Sequence, residues 1–137
     1  MKVIGFNFKK IFAERTNDSV EKLKINTGIN IADILPVKSS VFKSKEEVIQ
    51  VNFEYSINYD PDFAKVEFSG TLLLSLEAKE AREVLKEWKE KKMPEEFKIS
   101  IFNTILRKST IKAVELEDEL HLPIHVSLPK VSAKKTE

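Results

Sequence analysis

Strict alternation of apolar and polar residues predicts a β-hairpin in the middle of the chain. From Ile49 to Tyr59 every second residue is β-branched or aromatic, and polar residues fill the positions between them. This pattern is typical of a strand with one buried face. Asp60-Pro61-Asp62 supplies turn residues, after which apolar residues recur at even positions from Ala64 to Leu76. Residues 48–76 are therefore predicted to form an antiparallel hairpin, in which Gly70 indicates a bulge or the close approach of another element.

Two less regular strands are predicted before the hairpin. Apolar residues alternate from Ile4 to Phe8, and the phase then breaks at Lys9-Lys10, as it does at a β-bulge. A second run of one parity extends from Leu23 to Ile31 and continues irregularly through Ile34-Leu35-Pro36-Val37. Together with the hairpin, these segments give four antiparallel strands.

The spacing of apolar residues changes to that of an α-helix after the hairpin. Apolar side chains stand at positions i, i+3, i+4 and i+7 among charged neighbours, namely Ala81, Val84, Leu85 and Trp88. This narrow stripe predicts a short amphipathic helix over residues 79–92. Its end is expected at Met93-Pro94, because the residue before a proline disfavours the helical conformation.

A second, longer helix is predicted to begin at Pro94. Proline suits the first turn of a helix, and the two glutamates that follow place negative charge at the positive end of the helix dipole. Apolar residues recur from Phe97 to Leu120, which predicts a helix roughly 35–40 Å long. The predicted fold class is therefore α+β, with a four-stranded antiparallel sheet followed by a short and a long helix. Residues 1–131 are expected to form one domain, and residues 132–137 a polar, flexible tail.

Composition and charge exclude several classes of protein. The 137 residues suffice for one domain, and 23 Lys and Arg against 22 Asp and Glu leave a net charge of +1, unlike the basic excess of a general nucleic-acid binder. The absence of cysteine excludes disulfides and thiolate metal sites. Neither a membrane span nor a signal peptide is visible, so a cytoplasmic protein is expected. Enrichment in Lys and Glu fits a thermophilic source.

The residues that could carry chemistry form no recognisable catalytic or metal site. His121 and His125 would lie about 13 Å apart in an extended chain, too far for one metal ion, and Pro123 separates them. We interpret both as solvated loop histidines, and Glu117-Asp118-Glu119 as a solvated helix face. The three glycines are isolated, so no phosphate-binding loop is expected. No catalytic residue, cofactor or metal is therefore expected.

Several apolar residues are interpreted as a binding groove for polypeptide. The segment 34–42 breaks the alternation of a strand, so its apolar residues cannot all face the core. The stripe on the short helix is narrow, and methionine at the hinge between the helices suits an adaptable surface. Trp88 and Phe97 are interpreted either as core residues beneath the short helix or as part of a flap that this helix forms over a client, since such a helix is marginal on its own. Periodicity alone does not choose between the two. The predicted lining is Ile34, Leu35, Val37, Val41, Phe42, Val84, Leu85, Trp88, Met93 and Phe97.

The long helix carries apolar residues on more than one side. One stripe can cover its own sheet, and the remainder needs another dry surface. A homo-oligomer is therefore expected, as a tetramer built from dimers. The predicted interface consists of Ile99, Ile101, Phe102, Ile105 and Leu106.

The order of the elements resembles that of SecB-type export chaperones. The residues that carry the resemblance are Phe6-Asn7-Phe8 through Ala13-Glu14-Arg15, the long helix from Phe97 into Glu119-Leu120-His121-Leu122-Pro123, and the exit Ile124-His125-Val126-Ser127-Leu128-Pro129. The family has a similar bulged first strand, and its long helix closes in a similar exit strand between prolines. The likeness covers residues 3–131.

The resemblance implies a tetrameric, ATP-independent holdase that binds unfolded or precursor polypeptides in long apolar grooves. In that family the segment before the long helix is largely apolar, whereas here it is the charged helix 79–92, and the final helix of bacterial members has no counterpart. The outer face of the hairpin carries mixed charges rather than the acidic surface that docks SecA. A SecA partnership is therefore doubtful, and another kind of client, such as an antitoxin, is considered.

An alternative of another class is an acyl-thioester hydrolase or small-ligand carrier with a hot-dog fold. That fold also combines an antiparallel sheet with a long helix, but its helix lies near the N-terminal third of the chain. Here the predicted long helix follows every main strand, which favours the chaperone.

Overall fold

The computed structural model describes residues 1–19, 21–38 and 46–133, which form four strands and two helices. The strands are β1 (Lys2–Arg15), β2 (Lys24–Val37), β3 (Glu46–Asp60) and β4 (Ala64–Glu77), and the helices are α1 (Ala78–Trp88) and α2 (Glu95–Glu119). The predicted α+β class and element order are confirmed. The described residues after α2 are irregular, so the exit segment is not a strand. Most of the predicted tail, 132–137, lies outside the described residues.

The strands form one antiparallel sheet in the order β1-β4-β3-β2. β3 and β4 pair as the predicted hairpin, with Tyr55 opposite Phe68 near its middle. Their alternate apolar side chains are buried, because the two helices pack against this face of the sheet. β1 and β2 are edge strands, and the outer edge of β2 pairs with no other strand in the described part of the chain.

A close approach between β1 and β4 explains the glycine within β4. The pairing register of β1 shifts between Phe8 and Lys10, where the sequence predicts a bulge, and Phe8 lies opposite Gly70. A Cβ atom at Gly70 would lie 2.2 Å from the carbonyl oxygen of Asn7 and 2.9 Å from Cζ of Phe53. Only glycine leaves room for that backbone, so the predicted close approach is confirmed.

Helix α1 ends at Trp88, short of the predicted end at residue 92. Lys91 adopts a φ of 59°, and its backbone N–H donates to the carbonyl of Trp88, while the N–H of Lys92 donates to the carbonyl of Glu87. These bonds form a Schellman motif, which satisfies the last carbonyls of a helix. The apolar stripe also stops at Trp88, so further helical turns would bury nothing. Pro94 is therefore not what ends this helix.

The fully buried side chains of helix α2 form one row spaced four residues apart. Such a row drifts about 40° around the helix at each step, so the buried side of the helix turns along its length. The exposed apolar residues therefore lie on different flanks, with Ile99 and Leu106 in the N-terminal half and Ile111 in the C-terminal half. The buried row consists of Phe97, Ile101, Ile105, Ser109, Ala113 and Glu117.

The C-terminal end of α2 is fixed by groups outside the helix. His121 has a φ of 53°, and the N–H of Leu122 donates to the carbonyl of Glu117 in a second Schellman motif. The guanidinium of Arg15, at the end of β1, donates to the carbonyl oxygens of Leu120 and His121 at 3.2 and 3.0 Å. The last turn of α2 has no basic residue, so Arg15 supplies the positive charge that the negative end of the helix dipole favours.

Glu117 is completely buried, so its interpretation as a solvated residue was wrong. Its carboxylate accepts hydrogen bonds from the Tyr59 hydroxyl and from the backbone N–H of His125, and its Oε1 lies 2.7 Å from Nδ1 of His125. The Tyr55 hydroxyl lies 3.1 Å from Nε2 of the same imidazole, and the His125 side chain is only 5% exposed. The prediction of a solvated histidine was therefore wrong for His125, whereas His121 is exposed.

The network around Glu117 joins β3, α2 and the irregular segment after α2. Burial raises the pKa of Tyr55 and of Tyr59 above the usual value for tyrosine, and the Glu117 carboxylate contributes to both shifts. Both hydroxyls therefore remain protonated at neutral pH and can donate. Because a buried carboxylate needs such partners to offset its desolvation, the network anchors the segment after α2 on the sheet.

The core consists of two clusters on the same face of the sheet. One lies beneath α1 and the N-terminal half of α2 and includes Phe53 and Ile101. The other lies beneath the C-terminal half of α2 and includes Phe68 and Ala113. Within the described ranges, neither helix combines the length and apolar character that a membrane crossing requires.

Replacing Gly70 with alanine is expected to destabilise the fold by about 2–3 kcal/mol, because the new methyl group would overlap the backbone of β1. Gly28→Ala in β2 is the matched control, since its Cβ would meet only Oγ of Ser56 at 3.4 Å. The control should change the free energy of unfolding by no more than about 0.5 kcal/mol. Urea denaturation, followed by circular dichroism, measures the free energy of unfolding of both variants. Equal losses of stability would contradict the close approach of β1 to Gly70.

Replacing Glu117 with alanine is expected to lower the free energy of unfolding by about 2–4 kcal/mol, because Tyr59 and His125 would lose their buried acceptor. Glu119→Ala, at an exposed position two residues away, is the control and should cost less than about 0.5 kcal/mol. Chemical denaturation of both variants is the measurement. A Glu117→Ala protein as stable as the control would show that the network contributes nothing.

Candidate functional site

Two adjoining cavities form a groove between β2 and the N-terminal half of α2. The inner cavity, of about 360 Å³, is lined by residues 29–31 of β2, by Trp88 and Lys91, and by Met93, Lys98 and Phe102. The outer cavity, of about 580 Å³, is lined by Met93, Glu95, Lys98, Ile99, Phe102, Asn103 and Leu106. Met93, Lys98 and Phe102 line both cavities, so the two lie side by side. The groove runs from the middle of β2 to the exposed flank of α2.

Trp88 forms one wall of the groove and is held by a hydrogen bond to β2. Its indole Nε1–H donates to Oδ1 of Asp33 at 2.9 Å, and the same oxygen accepts the backbone N–H of Ile34 at 2.8 Å. The pairing register of β2 shifts between Ile31 and Asp33, and such a bulge redirects a side chain. Hydrogen bonds from Trp88 and Ile34 lower the pKa of the Asp33 carboxyl, with a contribution from Lys91, so this carboxylate is ionised at neutral pH.

The groove combines aromatic and aliphatic walls with two lysines. Nζ of Lys91 lies 4.6 Å from the centre of the Trp88 ring, and Nζ of Lys98 lies 5.7 Å from that of Phe102. In the described residues, no group of three or more His, Cys, Asp or Glu side chains is placed to hold a metal ion. The arrangement suits noncovalent binding of an apolar chain segment.

The structure places only part of the predicted groove lining in this groove. Trp88 and Met93 line it. Ile34, Val84 and Phe97 are instead buried in the core of the chain. The bulge in β2 explains why Ile34 is buried. The register shift turns this side chain towards the core, where it lies opposite Val51 of β3.

Three further predicted residues lie away from both cavities. Leu35 is 41% exposed, and Val37 and Leu85 are partly buried, with Leu85 packed against the core. Val41 and Phe42 lie outside the described residues. In the described part of segment 34–42, none of the predicted residues lines either cavity, and β2 instead contributes its middle, at residues 29–31.

The residues predicted for an oligomer interface divide into two sets. Ile101 and Ile105 are fully buried against the sheet of their own chain, so the chain already covers them. Ile99 is 54% exposed and Leu106 38% exposed, while Phe102 is half-buried. These last three residues line the outer cavity, so the prediction of an interface is narrowed to the flank of α2 that also forms the groove.

The second apolar stripe of α2 can be predicted from the sequence, but it was interpreted as an oligomer interface rather than as a wall of the groove. Ile99, Phe102 and Leu106 follow helical spacing, and Lys98 lies one turn from Phe102, so their common face is readable from the sequence. The contribution of residues 29–31 carries no such signal. These residues alternate like those of any strand, and only the packing of α2 beside β2 brings them to the groove.

The outer face of the sheet carries a separate, polar cavity of about 430 Å³ that includes Lys10, Glu54 and Glu67. Glu67 forms ion pairs with Lys10 at 2.9 Å and Lys65 at 2.6 Å. Hydrogen bonds from Lys65 and Lys10 lower the pKa of the Glu67 carboxyl. The charges on this face are mixed, as the sequence indicates.

A search of solved structures finds similarity to the SecB-like chaperone Rv1957 of Mycobacterium tuberculosis, in complex with a ChAD peptide from the Rv1956 HigA1 antitoxin. The two chains are 12% identical, with a TM-score of 0.58 over 98% of this chain and 92% of that chain. No family model matches the sequence, and a search of curated proteins finds no significant match. The likeness establishes the fold: the chain has the SecB-like fold that the sequence resemblance predicts.

Replacing Asp33 with alanine is expected to shift the emission of Trp88 to longer wavelength, because the indole loses its acceptor and α1 packs less tightly on β2. Trp88 is the only tryptophan, so the spectrum reports this site alone. The pKa of Asp33 is lowered in the folded chain, so the carboxylate bond is present above that pKa and weakens as the pH falls through it. The wild-type spectrum should therefore change only below about pH 4.

Asp33→Asn is the matched control, since it keeps an acceptor oxygen and does not titrate. Its emission should resemble that of the wild type at pH 7 and should lack the acid shift. Circular dichroism at each pH separates this local change from unfolding. Identical spectra for the wild type and Asp33→Ala would contradict the role of Asp33 in holding Trp88 at the wall of the groove.

Proposed function

We propose that the chain is an ATP-independent chaperone that holds extended segments of non-native polypeptides in the groove between β2, α1 and α2. The observation that carries the proposal is the exposed apolar wall of that groove, where Ile99 and Leu106 remain 54% and 38% exposed. The similar SecB-like chaperone is in complex with an antitoxin peptide. That complex supports a polypeptide as the ligand of this fold.

The binding energy would come from burial of apolar side chains. Each square ångström of apolar surface removed from water contributes about 25 cal/mol, so a client side chain that fills a cavity contributes about 1.5–3 kcal/mol. A few such contacts give micromolar affinity after the cost of ordering the client. The outer edge of β2 pairs with no other strand among the described residues and offers backbone groups next to the groove, and an extended segment can pair with such an edge.

The enzyme alternative has less support. The long helix follows all four strands, which is not the order that a hot-dog fold implies. The similar solved structure is a chaperone, which is compatible with a binding protein. In the titratable cluster of Glu117, His125 and Tyr55, Glu117 and His125 line neither cavity of the groove, and Tyr55 borders only the cavity on the outer face of the sheet.

We also propose that the chaperone works in the cytoplasm as a homotetramer of two dimers. Exposed apolar residues on both flanks of α2, including Ile111 at 64%, support an assembly because isolated apolar surface is a liability in a monomer. The proposed clients are unfolded or precursor polypeptides, an antitoxin among them. The mixed charge of the sheet's outer face gives no support to a SecA partner.

Replacing Leu106 with serine is expected to weaken client binding by about 1–2 kcal/mol, because the substitution removes an apolar wall of the outer cavity. More chaperone should then be needed to suppress the aggregation of chemically unfolded citrate synthase, measured by light scattering without ATP. Ile111→Ser is the comparison variant for assembly, since Ile111 is exposed on the same helix, outside both cavities, and belongs to the surface proposed for assembly.

Native mass spectrometry of each variant, with and without client, reports the oligomer and the bound polypeptide together. Equal loss of activity in both variants would assign the effect to assembly rather than to the groove. Hydrolysis of acyl-CoA by the wild type, with no effect on aggregation, would favour the enzyme alternative.

A further inference from the structure

Both charged side chains that line the inner cavity are basic. They are Lys91 and Lys98, and the other side chains that line it are apolar, aromatic or, at Asn30, a neutral amide. The carboxylate of Asp33 lies behind the Trp88 wall, where the indole binds it. The outer cavity contains one carboxylate, Glu95, in the first turn of α2, where the positive end of the helix dipole favours it.

Both ammonium groups are held against the aromatic walls of the groove. Lys91 lies over the ring of Trp88 and Lys98 over that of Phe102, at 4.6 and 5.7 Å from the ring centres. In the described part of the chain, neither lysine forms an ion pair. Asp33 interacts electrostatically with Lys91, but its Oδ1 is already engaged by Trp88 and Ile34.

An ammonium that lies over an aromatic ring is partly fixed in position before a ligand arrives. It can accept a carboxylate partner with less loss of side-chain freedom than a fully extended lysine. Both lysines are exposed, so each pair with a client carboxylate is expected to contribute as a surface charge pair does. The two lysines thus offer a place for acidic side chains next to apolar ones.

Another side of α1 carries the opposite charge. A cavity of about 320 Å³ on that side is lined by Glu83, Lys86, Glu87 and Glu90, so three acids accompany one base. A polypeptide that approaches α1 therefore meets positive charge in the groove and negative charge beyond it. This difference directs the acidic part of a client into the groove.

We propose that the groove selects extended apolar segments that carry acidic residues, and that Lys91 and Lys98 recognise the carboxylates. The inference rests on the proposed function of the same groove and adds the chemical class of its client. Acidic side chains would occupy the inner cavity, which has no carboxylate of its own, and apolar side chains would occupy the outer cavity beside Ile99 and Leu106.

The test uses three tryptophan-free peptides with identical apolar residues and with Glu, Gln or Lys at the positions between them. Binding to the full chain is followed by Trp88 fluorescence and confirmed by isothermal titration calorimetry. The Glu peptide should bind most tightly and the Lys peptide least, with a ratio of dissociation constants of about 3- to 20-fold for two exposed charge pairs. That ratio should fall towards one as the salt concentration rises.

Charge reversal at the two lysines distinguishes the groove from the charge of the whole molecule. The double variant Lys91→Glu, Lys98→Glu should invert the order of the three peptides. The control is Lys22→Glu, Lys108→Glu, which changes the net charge equally at exposed positions outside the groove and should leave the order unchanged. Circular dichroism checks that both proteins fold.

The outcomes separate this inference from the proposed function. Equal binding of the three peptides to the wild type, or the same effect from both double variants, would overturn the inference and leave the proposed function standing. Failure of all three peptides to bind would contradict the proposed function itself. A second copy of the chain in the groove would give a different result. Reversal at Lys91 and Lys98 would dissociate an oligomer seen by sedimentation, and no peptide would bind. This result would overturn both the inference and the proposed function.

Discussion

The row of fully buried side chains by which α2 packs on the sheet is the constraint on which the rest of the structure depends. Residues four apart along a helix form a narrow line that turns around its surface. Phe97, Ile101 and Ile105 fill this line in one half of the helix, and Ser109, Ala113 and Glu117 continue it in the other. In that second half the row itself buries little apolar surface, and only the partly buried Leu116 and Leu120 add to it. Other interactions therefore help to hold the C-terminal end of the helix.

Polar interactions provide that hold. The buried carboxylate of Glu117 joins the helix to Tyr59 of β3 and to His125 of the following segment, and Arg15 of β1 binds the carbonyls at the helix end. At the other end, the hydrogen bond between Trp88 and Asp33 fixes α1 against β2, just before the hinge into α2. Both helices are thus secured at specific points, and apolar packing covers the surface between them.

The groove is a consequence of this incomplete cover. The row of fully buried residues leaves the flank of α2 with Ile99 and Leu106 exposed, and a cavity remains beside the middle of β2. Short α1 partly fills this cavity with Trp88 but buries only Ala81 and Val84 fully. A surface that is apolar, partly covered by a small helix and next to an open strand edge suits a ligand without a defined fold. This explains how a well-packed core and an exposed apolar surface can coexist in the same chain.

The sequence by itself determined the elements and the fold. The alternation in β3 and β4, the phase break in β1 and the change to helical spacing after β4 are local signals, because each depends only on which side chains face the core. The break at Lys9-Lys10 and the glycine at residue 70 even located a bulge and a close approach correctly. The resemblance in element order then led to the SecB-like fold.

The tertiary structure decided the site, for reasons that lie in the packing. The inward direction of Ile34 depends on a bulge in β2, and the burial of Glu117 depends on donors from β3 and from the segment after α2. The spacing of residues along the chain shows neither the bulge nor these donors. For this reason Ile34, a core residue, was predicted to line the groove, and Glu117, a buried residue, was predicted to be solvated. Residues 29–31 belong to the groove only because α2 lies beside them. Local periodicity shows which face of an element is apolar, but only the packing of the elements determines which parts of those faces remain open.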